Sequence, residues 1–294
     1  MSAIHLHYDR RPKVLGAMIK FVVVPRKGFN RDVGLPDIQA HWPKAKVSGK
    51  GLSQYLSTLN IKSSPYLPIL YPHVLANGMH MHMLANKAFP IRALGVLHLK
   101  NSIIQHKPIA TSAELDIHTY MGDVRLIEKG MEFDLITDVS VEGEKVWEEN
   151  STYFAAGRFG GREHPSSKTS FNLSSLQTVE TIKPWFVPKD RGRVYARLTG
   201  DHNPIHISKT AAKLFGLKRD IAHGTGVLAQ AIEEAQLIEQ DIHRPWKVDV
   251  VFKGPVYLGA KVQLKTAPNS QSGRFDLYSD GNPKPNFCVS ITPV

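Results

Sequence analysis

The sequence predicts an α+β protein built from two tandem, diverged copies of one helix-then-strands unit. Two observations carry this prediction. The helix candidate HVLANGMHMHMLANKAF (73–89) precedes the strand-like HLKNSIIQHKPI (98–109), and DIAHGTGVLAQAIEEA (220–235) precedes VDVVFKGPVYLG (248–259) in the same arrangement. A helix-strand order that recurs along a chain indicates an internal duplication. We expect the duplication to bury the two sheets against each other's edges.

Length and composition set the class. The chain has 294 residues, enough for two units of roughly 100–150 residues. Hydrophobic residues make up 42% and charged residues 21%, which is ordinary globular usage and excludes a disordered or fibrous protein. The single cysteine, Cys288, excludes an intrachain disulfide and predicts a reducing compartment, which we take as cytoplasmic. We expect Cys288 to be a small buried hydrophobe rather than a nucleophile.

The charge balance points to a negatively charged partner. The formal net charge is +11, and nucleic acid, an anionic membrane and phosphorylated ligands are all candidates. The basic patches DRRPK (9–13) and KDRGR (189–193) are short, so no nucleic-acid surface is expected. A phosphate-bearing cofactor and an acidic carrier protein fit equally well, and a merely soluble basic surface is the simpler alternative.

The first half reads mostly as strands. We expect VLGAMIKFVVV (14–24) to be a strand; Lys20 interrupts its apolar run, so neither a signal peptide nor a membrane span is expected. Residues 114–157 predict several strands, with Phe133, Leu135 and Val139 alternating onto one face. A segment rich in Gly, Ser and Pro then reads as a linker. The predicted organisation is an N-terminal unit (1–157), a linker (158–180) and a C-terminal unit (181–294).

The second half contains a loop with acid-base residues. In TGDHNPIHIS (199–208), Asp201 and His206 are five residues apart, a spacing that does not align two side chains on one helix face. Pro204 and its effect on Asn203 predict a bent loop that presents both side chains to one point. A carboxylate paired with an imidazole is common general acid-base equipment, although Gly, Asp, Asn and Pro are also ordinary turn residues.

The second half also contains a helix start with a glycine. An amphipathic helix is predicted over about 225–239, with apolar residues recurring every three to four positions. Gly224 at its beginning offers a backbone N–H that could hold an oxyanion, and a helix start capped by His223 or Thr225 is the structural alternative. Read together with the loop, these groups describe water addition to an α,β-unsaturated carbonyl compound.

These motifs resemble those of a known family. YARLTGDHNPIH (195–206) and AHGTGVLAQ (222–230) resemble the motif of the type 2, (R)-specific enoyl-CoA hydratases, the MaoC-like dehydratase family, and FKGPVYLG (252–259) is similar to a later strand segment of that family. The resemblance is dense over about residues 195–230. The first half resembles the degenerate, non-catalytic half of double-length members. The resemblance implies a double hotdog fold, two tandem units in each of which a long helix is wrapped by an antiparallel sheet.

The resemblance also implies a site and a reaction. The substrate would be a thioester carried on coenzyme A or acyl carrier protein, with no cofactor and no metal. The reaction would be hydration of a trans-2-enoyl thioester to an (R)-3-hydroxyacyl thioester, or its reverse. The implied catalytic residues are Asp201 and His206, with Asn203 orienting them or the water and the Gly224 N–H as oxyanion donor. The predicted substrate-binding residues are His223, Thr225, Lys253 and Lys100, the two lysines reaching a coenzyme phosphate.

Several points stay open at this stage. A hotdog thioesterase and a non-catalytic acyl-thioester-binding protein are the alternative functions. The Gly-Ala pair at 259–260 departs from the acidic residue that many members place there. The first half has no counterpart of the segment TGDHNPIHIS (199–208), the Asp-loop, so one active site per chain is predicted. The chain could also form a homodimer. Met79, Met81 and Met83 could line the acyl chain, although core packing is the favoured interpretation. His80 and His82 are two apart, on different sides of a helix, which argues against a metal site.

Overall fold

The computed structural model describes residues 3–93, 95–160, 171–177, 179–235, 243–267 and 273–294. Within these ranges the strands are β1 (Ile4–His7), β2 (Ile38–Lys46), β3 (Leu97–Gln105), β4 (Glu114–Ile127), β5 (Gly130–Val141), β6 (Glu144–Ala156), β7 (Glu180–Phe186), β8 (Trp246–Phe252), β9 (Lys261–Thr266), β10 (Arg274–Ser279) and β11 (Phe287–Pro293). The helices are α1 (Val14–Val23), α2 (Gly49–Leu59), α3 (Tyr71–Ala85), α4 (Arg191–Thr199), α5 (Pro204–Ile207), α6 (Lys209–Leu214) and α7 (Gly224–Ala235).

The strands form one continuous sheet with an internal symmetry. Its order is β1-β2-β4-β5-β6-β3-β8-β11-β10-β9-β7. Outward from the central β3–β8 pair, the order β3-β6-β5-β4-β2 on one side matches β8-β11-β10-β9-β7 on the other. The long helix α3 lies between β2 and β3 in the chain, and α7 lies between β7 and β8. The duplication predicted from the sequence is confirmed, and the fold is a double hotdog.

The two units join edge to edge. Strands β3 and β8 are antiparallel, with Asn101 opposite Val250 and Ser102 opposite Asp249. The Ser102 hydroxyl donates a hydrogen bond to Asp249 Oδ1 at 2.6 Å, which ties the two halves through side chains as well. The edges that each sheet would expose alone are therefore paired with each other, as expected.

The core lies between the sheet and the long helices. Phe133, Leu135 and Val139 are all 0% exposed, which agrees with their predicted alternation onto one face. Helix α3 is buried on nearly all sides, and its Met79 and Met83 are 0% exposed as well. Burial on all sides is typical of a central helix rather than of a surface one. Packing therefore explains these two methionines, the interpretation favoured from the sequence.

The segment at 14–24, expected as a strand, is instead helix α1. Its buried residues are Val14, Ala17 and Phe21, three and four positions apart, which is the period of a helix face. The strand prediction was wrong because Leu15 and Ile19 are also apolar yet exposed, so the sequence shows apolar residues on both faces and hides the period. Helix α1 packs on α3, and the Nε2 of His82 donates to the carbonyl oxygen of Lys13 at 3.0 Å.

Other elements agree with the sequence in part. Helix α3 matches the candidate at 73–89, and the described part of the second helix ends at Ala235, so its predicted continuation to 239 lies outside the described residues. The segment 252–259 leaves the sheet after Phe252 and keeps only an isolated bridge between Tyr257 and Ile221. Cys288 is 0% exposed, as expected. None of the helices in the described ranges has the length and apolar character needed to cross a bilayer.

Candidate active site

The Asp-loop is folded by its own side chains. Helix α4 ends at Thr199, and Gly200 turns the chain with a φ of 81°, a left-handed conformation that favours glycine. Asp201 Oδ1 then accepts the N–H of Asn203 at 3.1 Å, and Asn203 Oδ1 accepts the N–H of Ile205 at 3.3 Å. The predicted bend is present. It ends at Asn203, because Pro204 begins the one-turn helix α5 that carries His206.

His206 faces Asp201 with a free ring nitrogen. Its Nδ1–H donates to the carbonyl oxygen of Ile221 at 3.0 Å, which leaves Nε2 as the acceptor of a neutral ring. Nε2 lies 4.0 Å from Asp201 Oδ2, too far for a direct hydrogen bond. Two acceptors at this separation can both bond to one oxygen atom placed between them.

His223, the residue before α7, is the third side chain of this group. Its Nε2–H donates to the backbone oxygen of Asp201 at 2.9 Å and lies 3.7 Å from the carboxylate Oδ2. The ring stacks on His206 with centroids 3.8 Å apart and 26° between the planes. Its buried Nδ1 has no hydrogen-bond partner among the described residues. His223 thus holds the backbone of the Asp-loop and the ring of His206 together.

The electrostatics give the pair complementary charge states. Burial lowers the pKa of His206, and burial together with the neighbouring His206 lowers the pKa of His223, so both rings are neutral at pH 7. Burial works to raise the pKa of Asp201, but the two imidazoles and the Asn203 amide outweigh it and lower the pKa. The result is an ionised carboxylate beside two neutral imidazoles, which is the state a general base requires.

Gly224 is the first residue of α7, as expected for an oxyanion donor. The amides of Gly226 and Val227 donate to the carbonyl oxygen of His223, each at 3.1 Å, so Gly224 and Thr225 at the very start of α7 are the positions whose amides can bind a carbonyl oxygen. A Cβ at Gly224 would come within 2.9 Å of the Phe252 ring, so close packing also requires glycine here. Thr225, the next residue, lines the cavity described below.

A small cavity lies between the two halves of the chain. It offers about 20 Å³ to the centre of a water-sized sphere, which is room for about one water molecule. The C-terminal half contributes Tyr195, Thr199, Asp201, His223 and Thr225, and α3 of the N-terminal half contributes His73, Val74 and Asn77. Asn77 Nδ2 also donates to the carbonyl oxygen of Thr199 at 3.4 Å, which links the two walls.

The structure does not bring every predicted residue to this point. Lys100 is buried on β3, where burial lowers the pKa of its ammonium group and Nζ lies 5.9 Å from the centroid of the Phe171 ring. Lys253 is exposed just after β8. Neither lysine is among the described residues that line the cavity, and their coenzyme contact stays a prediction. Asn203, His206 and Gly224 lie next to the lining residues in the chain or in contact with them but do not line the cavity themselves. A second cavity of about 550 Å³ lies between α1 and α3 and contains none of the predicted site residues.

The structure adds a pair that sequence reasoning missed. His73 Nδ1 donates to the Glu149 carboxylate, with both oxygens at 2.9 Å, and the two residues are 5% and 2% exposed. They are 76 residues apart, so no local spacing relates them. The available signal was positional, since His73 lies near the start of α3 as His223 does at the start of the equivalent helix α7.

Two groups of described residues bring metal-type ligands together. They are His73, His80 and Glu149, and Asp201, His206 and His223, each with candidate atoms within 4.8 Å of one another. In the second group His223 Nε2 carries a proton donated to a carbonyl, so it offers no lone pair to a metal. In the first, His80 Nε2 is hydrogen-bonded to the Thr137 hydroxyl at 2.9 Å. Both arrangements fit hydrogen-bond networks, and the absence of a metal or cofactor stays a prediction.

Comparison with known proteins identifies the C-terminal unit. Residues 171–277, which include the Asp-loop and α7, match the family model described as MaoC like domain. This part of the chain is similar to MaoC-like domains. Outside the matched range lie His73, Glu149 and the rest of the N-terminal half, whose predicted boundaries stay a prediction.

Relatives extend the similarity to most of the chain. The 3-hydroxyacyl-thioester dehydratase X of Mycobacterium tuberculosis is 29% identical over 245 residues, which cover 83% of this chain and 84% of that protein. The enoyl-CoA hydratase ChsH3 of the same organism is 26% identical over 246 residues, covering 76% and 83%.

Solved structures with this MaoC-like arrangement show the same fold. The crystal structure of HtdX of M. tuberculosis superposes with a TM-score of 0.74 at 23% identity, covering 87% of this chain and 100% of that chain. A conserved hypothetical protein of M. tuberculosis, described as having a double hotdog fold, superposes with a TM-score of 0.54 at 11% identity, covering 93% and 97%. At these identities the likeness concerns the fold alone.

Proposed function

We propose that this protein is a hydro-lyase that adds one water across the double bond of a trans-2-enoyl thioester to give an (R)-3-hydroxyacyl thioester, or catalyses the reverse dehydration. The observation that carries the proposal is the grouping of the ionised Asp201 carboxylate with the neutral imidazoles of His223 and His206 at 3.7 and 4.0 Å, next to a water-sized cavity lined by Asp201 and His223. The names of the two relatives support it, because a 3-hydroxyacyl-thioester dehydratase and an enoyl-CoA hydratase run the same reaction in opposite directions.

The geometry suggests how the reaction proceeds. A water between Asp201 Oδ2 and His206 Nε2 donates its two hydrogens to them, which directs an oxygen lone pair toward Cβ of the enoyl group. The amides at the start of α7 hold the thioester carbonyl, on which negative charge develops as the C–O bond forms. The proton taken from the water then goes to Cα. Acid-base assistance of this kind contributes about 10²–10⁴-fold, and one oxyanion donor about 10²–10³-fold.

The carrier, the assembly and the compartment belong to the same proposal. The net charge of +11 suits the phosphates of coenzyme A and an acidic acyl carrier protein alike. We propose further that the chain, already a pseudo-dimer, associates as a homodimer. We also propose that it acts in a reducing compartment such as the cytoplasm, in line with its single, buried cysteine. Sedimentation at several protein concentrations tests the homodimer.

The test follows the conjugated enoyl-thioester absorbance when the purified protein meets trans-2-enoyl thioesters of coenzyme A and of acyl carrier protein, with the chirality of the product determined. We expect rapid loss of absorbance and an (R)-3-hydroxyacyl product, with Asp201→Asn reducing kcat/KM by about 10²–10⁴-fold. The matched control is Asp190→Asn, a carboxylate that is exposed at the start of α4. Release of free thiol without hydration would assign a thioesterase. Binding without turnover of either carrier would assign a non-catalytic acyl-thioester-binding protein.

A further inference from the structure

The N-terminal half supplies a buried histidine-carboxylate pair to the cavity that contains Asp201. His73 projects from α3, and Glu149 lies on β6. Both are nearly excluded from solvent, yet the His73 ring lines the cavity together with Asp201 and His223. A charged pair placed in this position is expensive to bury unless it is well hydrogen-bonded, so its contacts decide what it can do.

Glu149 is fixed by donors on several sides. Besides His73, it accepts hydrogen bonds from Asn101 Nδ2 at 3.2 Å and from the Ser151 hydroxyl at 3.2 Å. Burial works to raise the pKa of Glu149, but the charge and hydrogen bond of His73 outweigh it and lower the pKa to about 2. The carboxylate is therefore ionised and cannot reorient without losing these bonds.

Glu149 in turn sets the state of His73. Burial works to lower the pKa of His73, and the Glu149 carboxylate overcomes it and raises the pKa, with a smaller contribution from Asp201. Nδ1–H is committed to Glu149, so the second proton of the imidazolium is on Nε2. Among the described residues none is hydrogen-bonded to Nε2, and the ring borders the cavity. The cavity thus offers a hydrogen-bond donor and a carboxylate acceptor.

The other rings packed against His73 are neutral. Burial lowers the pKa of His80 to about 4 and that of His98 to about 3. His80 is hydrogen-bonded to Thr137, and His98 stacks on His73 with centroids 5.7 Å apart and 21° between the planes. His73 is consequently the imidazole of this cluster whose pKa is raised, and the groups that face it are Glu149, His80, His98 and Asp201.

We propose that His73 is a further catalytic residue, whose Nε2–H donates a hydrogen bond to the oxygen atom held by Asp201, and that Glu149 is the positioning residue of this donor. The proposal rests on the proposed function and names the same oxygen: the water in hydration and the 3-hydroxyl in dehydration. A water that accepts from His73 and donates to Asp201 and His206 keeps one lone pair for attack on Cβ. In dehydration the same bond stabilises the negative charge that develops on the departing oxygen. No proton is transferred from His73.

This assignment changes the role expected for the N-terminal half. Because that half lacks the Asp-loop, the sequence predicted no active site of its own for it, with Lys100 as a substrate-binding residue and the methionines as a possible lining for the acyl chain. Here it completes the active site, which requires residues from both halves of the duplicated chain.

The experiment compares His73→Gln and Glu149→Gln with the wild type and with Asp201→Asn in the same hydration assay. We expect His73→Gln to lower kcat by about 10²-fold with KM little changed, because the bond is made to the water and not to the acyl chain. We expect activity of the wild type to fall on the alkaline side as His73 loses its proton, and Glu149→Gln to move that fall to lower pH. Asp134→Asn is the matched control, since Asp134 is a buried carboxylate (3% exposed) on β5, bound by Arg125 and away from the cavity.

The outcomes separate the two proposals. Wild-type kcat in His73→Gln, or an alkaline limb left in place in Glu149→Gln, would overturn the role of His73 while leaving the hydro-lyase intact, provided that Asp201→Asn is inactive. No turnover of enoyl thioesters by the wild type would overturn the proposed function and the role of His73 with it. A loss of activity in Asp134→Asn equal to that in Glu149→Gln would also contradict the proposal, since it would assign the effect to sheet packing. Thermal denaturation of each variant shows whether it is folded.

Discussion

His223 donates a hydrogen bond from Nε2 to the backbone oxygen of Asp201, 2.9 Å away, although the two residues are 22 positions apart. The bond fixes the proposed catalytic carboxylate through its own main chain, so the position of Asp201 depends on the residue that precedes α7. The predicted role of His223 was substrate binding, and the structure gives it this second, positioning contact.

We therefore expect His223→Phe to lower activity strongly while leaving the protein folded. Phenylalanine keeps a flat ring against His206 but cannot bond to the Asp201 oxygen, so the loop loses its anchor. The lost hydrogen bond costs about 1 kcal/mol in the free energy of unfolding, and a displacement of the carboxylate by about 1 Å costs about 10²-fold in rate. Urea denaturation and steady-state kinetics measure the two effects. Wild-type kcat/KM in this variant would show that the loop holds its shape alone.

Gly192 on α4 is a helical glycine at which alanine is expected to lower the stability of the protein instead of raising it. A Cβ at Gly192 would overlap the backbone oxygen of His206, so Gly192→Ala must push α5 and its histidine away from Asp201. An alanine normally stabilises a helix by about 1 kcal/mol over glycine. We expect the opposite here, with a lower Tm and a loss of activity of 10-fold or more, about the size that misplaced catalytic groups cause.

The control for that variant is Gly16→Ala on α1, where a Cβ meets nothing within 4 Å. It should raise the free energy of unfolding by about 0.5–1 kcal/mol and leave kcat/KM unchanged. Equal stabilisation by both substitutions, seen in parallel thermal melts, would contradict the close contact between Gly192 and α5.

The buried histidines predict how stability depends on pH. Burial lowers the pKa of His80 to about 4 and of His98 to about 3, whereas an unfolded chain protonates histidine near about 6.5. Between these values the unfolded state binds more protons, so stability falls as the pH drops from about 6.5 toward 4. Each ring contributes at most about 1.4 kcal/mol per pH unit. His73, whose pKa is raised, contributes stability of the opposite sign, present at low pH and lost as the pH rises.

Urea denaturation between pH 7 and pH 4 checks this dependence, and His98→Phe is the informative variant. Its ring keeps the stack on Tyr153, where the centroids lie 4.8 Å apart, but cannot take up a proton. The slope of the free energy of unfolding against pH should therefore be shallower than in the wild type. An unchanged slope would mean that His98 does not titrate on unfolding.

The buried thiol of Cys288 is expected to react slowly with thiol reagents in the native protein. Burial, with Asp276 adding to it, raises the pKa of Cys288 to about 12, and the side chain is 0% exposed on β11. Because the thiolate is the reactive form, we expect a thiol reagent at pH 8 to label the native protein far more slowly than the urea-unfolded protein. Absorbance of the released chromophore measures both rates. Rapid labelling of the native state would show that the sheet opens readily at β11, although this strand is paired with β8 and β10.

The parts of the fold that could be predicted are those with a clear local period or a distinctive backbone residue. Alternation placed Phe133, Leu135 and Val139 in the core, and the Asn203-Pro204 pair predicted the bend that presents Asp201. Helix α1 was not predictable in this way, because exposed apolar residues obscure its buried face. The spacing of apolar residues predicts a helix or a strand only where the other face of the element is polar.

The candidate site was half predictable for a different reason. Asp201, His206 and Gly224 lie within one short region of chain, so their resemblance to a motif could be recognised before the fold was known. His73 and Glu149 come from a helix and a strand 76 residues apart, and only the packing of α3 against β6 brings them together. A contact of that kind has no signature in a single sequence, since neither residue is unusual in its own segment.

The seam between the two sheets bears on how the chain is made. Ser102 on β3 is synthesised 147 residues before Asp249 on β8, its hydrogen-bond partner across the seam. At about 5–20 residues per second, synthesis leaves the edge of the first sheet unpaired for about 7–30 s. An unpaired strand edge is a template for association with other chains, so nascent copies on one messenger are exposed to one another during this interval. The time taken to translate the second half therefore sets how long this strand edge is available for association with other chains.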